Sequence, residues 1–369
     1  MKKEDTSLIQ YKKNVESLEI TGLRIPVELR RMKMQEISYR ENVEVSKKYK
    51  EVYVKEIRNI IESREQAAVT LRDNYCKDIF SHQEKYREDF KAMLGWPLSE
   101  KLVHFVPKAK IEKLTEDEVC SIYRVSVEIM DGLSMTGLLF QKDEKRKPLV
   151  IAQHGGSGSP ELVGNLYGNT GNYNHMIERV INYNVNVFAP QLLIWDQSYQ
   201  VDFDRLELDA QLKRVGSSIT ALEIYGLIRI LDYFEAQDYV SNFGMVGLSY
   251  GGFYTSFMAA VDTRIKSAVS CSFFSNRKNY VQSDWTWFRS AETFSDAEIA
   301  CLVYPRKLCI EVGTEDELFD INSTREEICR LRELSNVVSE KWLEVIEFEG
   351  THEFCLDDAP IKRLAQDLQ

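Results

Sequence analysis

Ser249 stands in Gly247-Leu248-Ser249-Tyr250-Gly251-Gly252, directly after the apolar run Phe243-Gly244-Met245-Val246 and before a helix-like stretch from Phe253 to Val261. A strand, a Gly-x-Ser-x-Gly turn and a helix in that order lift a serine Oγ clear of a sheet. So sharp a turn strains the backbone, and glycine at 247 and 251 lets strand and helix close on each other. The chemistry this predicts is nucleophilic attack by Ser249. A serine needs a base to take its proton, and the chain offers five histidines, His82, His104, His154, His175 and His352.

The strand, turn and helix resemble the nucleophile elbow of the α/β-hydrolases, whose triads run serine, then acid, then histidine along the chain. That order leaves His352, the one histidine after Ser249, in Glu349-Gly350-Thr351-His352-Glu353-Phe354, a loop following the apolar segment Leu343 to Phe348. The acid is expected between them and just past a strand. Lys307-Leu308-Cys309-Ile310-Glu311-Val312 is followed by Gly313-Thr314-Glu315-Asp316, and Asp316 in its Gly-x-x-Asp turn would accept a hydrogen bond from His352 Nδ1 and fix its tautomer. Glu315 and Asp320 are the rivals; Asp320 also reads as a helix N-terminal acid near Ser323.

A developing oxyanion needs backbone donors. The strand-like Leu149-Val150-Ile151-Ala152 ends in Gln153-His154-Gly155-Gly156-Ser157-Gly158-Ser159, a loop able to present bare N–H groups. One donor is expected from Gly156 and the other from Tyr250, the residue after the serine. His154 precedes the serine and is expected to brace this loop through hydrogen bonds from its ring.

With these pieces placed, residues from about 100 to 369 resemble the branch of the α/β-hydrolase superfamily that groups dienelactone hydrolase-like proteins with acetyl xylan esterase-type enzymes. Val187-Phe188-Ala189-Pro190-Gln191-Leu192 is similar to the strand and loop after the oxyanion segment, and Leu302-Val303-Tyr304-Pro305-Arg306-Lys307-Leu308 to the approach to the acid strand. Dienelactone hydrolase uses a cysteine where this chain has Ser249, so its substrate does not carry over. The resemblance implies a serine hydrolase of short acyl esters such as acetylated carbohydrates, working through an acyl-enzyme and needing no metal or organic cofactor. Trp195, Trp285 and Trp287 are candidate flat faces for a sugar ring, with core packing as the alternative. Two other readings compete: a prolyl oligopeptidase-like serine peptidase, and a catalytically idle interaction protein on a hydrolase fold. The peptidases usually carry a repeat-built propeller, which about 100 helical residues cannot make.

Composition fits such an enzyme. The chain has 369 residues, 44% hydrophobic content and a formal net charge of −11, enough for one large core plus an accessory region and adverse to nucleic acid. Its seven cysteines include no Cys-x-x-Cys pair and read as reduced core residues, not as a disulfide framework or a metal site. The N-terminus lacks an apolar signal region, and no run approaches ~18 apolar residues. The expectation is a soluble, cytoplasmic protein with a small-molecule partner and no membrane.

The first 100 residues carry a net +2, leaving −13 for the remainder, and hold only Gly22, Gly95, Pro26 and Pro97 of the glycines and prolines. This predicts a helical region over 1–100. Its best helix starts at a capping box, Ser81-His82-Gln83-Glu84, shows Tyr86, Phe90, Met93 and Leu94 on one face and stops at Gly95. Val54, Ile57, Ile60 and Ile61 mark another. Such faces need the hydrolase domain or a second copy of the chain to cover them, so a homo-oligomer is expected. From 101 to 369 the fold expected is α/β: Asp131-Gly132 between two apolar strands makes a hairpin, then strands and helices alternate, which means a mostly parallel central sheet flanked by helices.

Overall fold

The computed structural model describes residues 38–100, 106–195 and 201–369; His104 and the first 37 residues of the expected helical region lie outside them. The chain divides into two compact units, Met1–Ile61 and Glu62–Gln369. In the first, the described residues are mainly the opening turns of a long helix, α1 (Val43–Tyr75). The stripe Val54, Ile57, Ile60 and Ile61 on it is exposed.

The second unit is built on a single sheet of β1 (Ala109–Glu116), β2 (Ser121–Met130), β3 (Leu133–Gln141), β4 (Lys147–Gln153), β5 (Asn186–Pro190), β6 (Val240–Leu248), β7 (Ile265–Cys271), β8 (Lys307–Gly313) and β9 (Leu343–Phe348). Their order is β1-β2-β3-β5-β4-β6-β7-β8-β9. The first three strands and β5 pair antiparallel, and every pairing from β5 through β4 to β9 is parallel. All residues of β4 and β5 are buried, which is why these segments read as continuous apolar runs: a parallel strand is covered on both faces.

Around the sheet stand α2 (Gln83–Leu94), α3 (Pro160–Val163), α4 (Met176–Ile181), α5 (Arg205–Arg214), α6 (Ile219–Glu235), α7 (Tyr250–Val261), α8 (Asp296–Cys301), α9 (Ile321–Ser335) and α10 (Ala359–Asp367). Alternate strand residues feed two apolar layers. Leu149, Ile151 and Met245 join α2, α6, α7 and α8 on one face. Val150, Ala152, Val246 and Leu248 join α3, α4 and α10 on the other. The fold is therefore α/β, a mostly parallel sheet between helical layers, and the expected hairpin forms, with Met130 opposite Leu133.

Some elements differ from the sequence reading. Strand β1 went unread because its lysines and glutamates are exposed along almost its whole length, leaving no apolar alternation to detect. The helix over 83–94 forms, but His82 occupies its N-cap without a side-chain bond. The capping box is absent because Glu84 pairs instead with Arg87, one turn on. The predicted apolar face is real: Tyr86, Phe90 and Leu94 are buried in the sheet unit's core, and Arg87 donates to the carbonyls of Ala260 and Leu302. Phe90 meets Phe257 and Phe294 edge-on at 5.1 and 5.4 Å. Phe90→Ala should therefore cost about 3–5 kcal/mol of stability, read as a lowered denaturation midpoint in urea with an unchanged slope.

Candidate active site

Ser249 closes β6 and caps α7 with φ 61° and ψ −122°, a conformation that L-residues avoid unless their surroundings enforce it. The glycines enforce it. A Cβ on Gly247 would lie 2.3 Å from Gly251 O, and one on Gly251 would lie 2.1 Å from Gln153 O. Strand, turn and helix are in backbone contact there, and Ser249 N donates to Cys271 O at the end of β7.

His352 and Asp316 come together across the ends of β8 and β9. His352 Nδ1 donates to Asp316 Oδ2 at 2.8 Å, with the side chains 15% and 2% exposed. Asp316 Oδ1 accepts from the amides of Leu318 and Phe319, so both carboxylate oxygens are committed. The two loops are laced together, Thr314 N to Phe348 O and Glu315 N to Gly350 O. Gly313 permits this, since a Cβ there would sit 2.5 Å from Thr351 O. Of the rivals, Glu315 is exposed, and Asp320 caps α9 by accepting from Ser323 N.

The histidine loop is tied back toward the serine. Cys271 Sγ and Ser272 Oγ both donate to Glu353 O, and Asn172 Nδ2 donates to His352 O. Phe319 stacks on the His352 ring at 5.8 Å and 24°. Ser249 Oγ has no hydrogen-bond partner among the described residues.

The expected donors face a similarly built wall. A Cβ on Gly155 would lie 3.1 Å from Ser249 Cβ, which puts the loop after β4 directly against the elbow. Gly155 N donates to Tyr173 OH, whereas Gly156 N has no acceptor among the described residues. Tyr250 N is the first helical amide of α7 and has no acceptor within the helix. His154 braces this loop: Nδ1 donates to Gly155 O at 2.9 Å and Nε2 accepts from Leu192 N at 3.0 Å. Burial pushes its pKa down to about 4, so the ring stays neutral and keeps one donor and one acceptor.

The tryptophans separate. Trp195 is 46% exposed, and its indole covers Gly156, where a Cβ would approach it to 2.7 Å. Trp287 is buried beside Phe257, and Trp285 is buried against Tyr250, Phe273 and Phe319. Both are buried, Trp285 among aromatic rings and Trp287 between the Phe257 ring and the Arg277 guanidinium, unlike the half-exposed Trp195. A cavity of about 330 Å³ beside Gly156 is lined by Trp195, Gln191, Tyr167 and Glu161 among others.

Comparison with protein-family models finds no match, and comparison with curated proteins by sequence finds none. Solved structures do match. A protein assigned as an acetyl xylan esterase from Bacteroides fragilis superposes with a TM-score of 0.59 at 14% identity, over 75% of this chain and 77% of that one. A glucuronoyl esterase from Solibacter usitatus gives 0.57 at 11% identity, over 78% and 91%. Acetyl xylan esterase 1 from Thermoanaerobacterium gives 0.51 at 16%, over 78% and 94%. The chain has the α/β-hydrolase fold. Within the hydrolase fold the serine, acid and histidine positions read from the sequence fall at the ends of β6, β8 and β9, the strand ends where parallel sheets hold their sites.

Several residues around the candidate site had no sequence signal. Phe319, Asn172 and Ser272 act on His352 and its neighbour from far along the chain, Asn172 across 180 residues. Glu311, in β8, is fully enclosed, with Oε2 lacking a hydrogen-bond partner. Among the described residues no group of His, Cys, Asp and Glu is arranged to hold a metal.

Asp316→Asn should lower kcat by roughly 10⁴-fold with folding intact. Asp320→Asn should leave kcat near wild type, because asparagine caps a helix equally well; steady-state kinetics on both variants checks the assignment. Burial pushes the Glu311 carboxyl up to about 8 from its ordinary 4.5. The folded state therefore holds a proton that the unfolded state gives up, and the stability this provides is present at low pH and lost as pH rises through 8. Glu311→Gln should remove that loss, so denaturation midpoints at pH 5 and pH 8.5 should show the variant gaining on wild type by on the order of 3 kcal/mol at the higher pH.

Proposed function

We propose that the protein is a serine ester hydrolase acting on short-chain acyl esters of neutral carbohydrates. The observation that carries this is the strained Ser249 at the elbow, set with the formed His352–Asp316 pair at the carboxyl ends of the parallel strands. In this reading His352 takes the proton of Ser249 Oγ, which attacks the ester carbonyl, and the amides of Gly156 and Tyr250 hold the oxyanion. The alcohol leaves with that proton, and water deacylates the serine by the same route. Asp316, with both oxygens occupied, keeps Nδ1 protonated and Nε2 free for this work.

Structural neighbours described as acetyl xylan and glucuronoyl esterases support an ester of a sugar. The cavity beside Gly156 favours the neutral one. Glu161 is its one charged lining residue among those described. Burial raises the Glu161 carboxyl, but the hydrogen bonds from Arg124, its own amide and Ser159, together with the Arg124 charge, hold it below its ordinary value. The described lining thus offers no cation to hold the carboxylate that a glucuronoyl ester, itself uncharged, yields on hydrolysis. Trp195 supplies an exposed ring on which a sugar face can rest.

A serine-directed fluorophosphonate should add one equivalent to the wild-type protein and none to Ser249→Ala, read by intact mass. Among substrates, acetyl esters and acetylated xylo-oligosaccharides should turn over faster than octanoyl esters, glucuronoyl esters or aminoacyl amides. Trp195→Ala should raise KM for the oligosaccharide about tenfold more than it does for a nitrophenyl acetate. Equal labelling of both proteins, or preference for the glucuronoyl ester, would overturn the reading.

A further inference from the structure

Arg205 opens α5 with its side chain 4% exposed, and its guanidinium is the hub of a buried polar cluster. Nε donates to Asp284 Oδ2 at 2.7 Å, and Nη2 donates to Glu223 Oε2 at 3.1 Å and Tyr254 OH at 2.8 Å. Nη1 donates to Leu193 O. Asp284 Oδ2 also accepts from Tyr250 OH at 3.0 Å, and Glu223 Oε1 accepts from Leu193 N at 2.9 Å. Tyr254 OH closes the ring onto Glu223 Oε2.

Burying three charges costs several kcal/mol per ion, and an apolar cluster of equal volume often serves stability as well. The direction of these bonds therefore matters more than their number. One arm holds the side chain of Tyr250, whose amide is an expected oxyanion donor. The other arm holds both backbone groups of Leu193. The segment from Leu192 to Trp195 is itself tied to the other donor's loop, through Leu192 N to His154 and through the Trp195 indole over Gly156. Trp195 then meets the Tyr250 ring edge-on at 6.0 Å.

We infer that Arg205, Glu223 and Asp284 are positioning residues of the oxyanion hole, a buried ion cluster that sets the Tyr250 and Gly156 amides at a fixed separation. This rests on the serine hydrolase reading. A pair of amides stabilises an oxyanion only when each donor stands within hydrogen-bond distance of where that oxygen will be. A loop and a helix terminus from separate parts of the chain hold that spacing only if something rigid joins them. Two of the cluster's links, Asp284 to Tyr250 and Glu223 to Leu193, are made to the two sides of the gap.

The test uses the full-length protein and a fluorophosphonate, whose phosphoryl oxygen occupies the oxyanion position as Ser249 attacks phosphorus and fluoride leaves. Tyr250→Phe removes one hydroxyl and keeps the amide; Asp284→Asn removes one charge at constant shape. Both should slow labelling and lower kcat for an acetyl ester by about tenfold or more, with KM unchanged and with the two rates falling in proportion. A role in stability alone would lower the melting temperature and leave the labelling rate of the folded protein untouched. Should Asp284→Asn fail to fold, Tyr250→Phe decides. A wild-type protein that takes up label beside a Tyr250→Phe variant labelled equally fast overturns the positioning role by itself. A wild type that takes up none overturns the nucleophile reading, and this inference with it.

Discussion

The candidate site depends on the close backbone approach between the elbow and its neighbours. Gly251 rests on the carbonyl of Gln153, and Gly247 rests on Gly251. These contacts admit no side chain, so they hold β4, β6 and α7 at one spacing and leave Ser249 no relaxed conformation to fall into. The adjacent loop is held by the same approach, since Gly155 abuts Leu248 O and Ser249 Cβ. The serine and the loop beside it are thus brought together by main-chain contact, which rotamer motion does not loosen.

The acid and histidine depend on the elbow less directly. They sit on consecutive parallel strands, β8 and β9, and the hydrogen bonds between their loops set the distance from Asp316 to His352. What ties that pair's loop to the serine is the end of β7: Cys271 O receives the serine amide, while Cys271 Sγ and Ser272 Oγ reach Glu353 O. A shift of one strand would move all three groups, so the geometry belongs to the sheet as a whole.

Polar groups enclosed around this frame are costly unless paired. The Arg205 cluster meets that cost with nearly complete pairing, leaving Asp284 Oδ1 without a partner. Glu311 meets it by staying protonated, and His154 by staying neutral. Each resolves burial in a different way, and each lies beside a segment that carries a candidate catalytic group.

Glycine spacing, apolar runs and strand ends are local signals, and so the parallel strands could be placed along the chain, together with the elbow and with Ser249, Asp316 and His352 as candidates. The sequence also marked the face of α2, since a 3.6-residue period survives without knowledge of its partner. It left Asp316, Glu315 and Asp320 as alternatives, and only the tertiary structure separated them, by bringing one carboxylate to His352 and spending another on the end of α9. The three tryptophans were equivalent in the sequence, and burial alone distinguished Trp195 from the two in the core. Phe319, Asn172, Glu223 and Asp284 carried no signal, because contacts across tens to nearly two hundred residues depend on which strands become neighbours, and that is decided by the packing of the whole sheet.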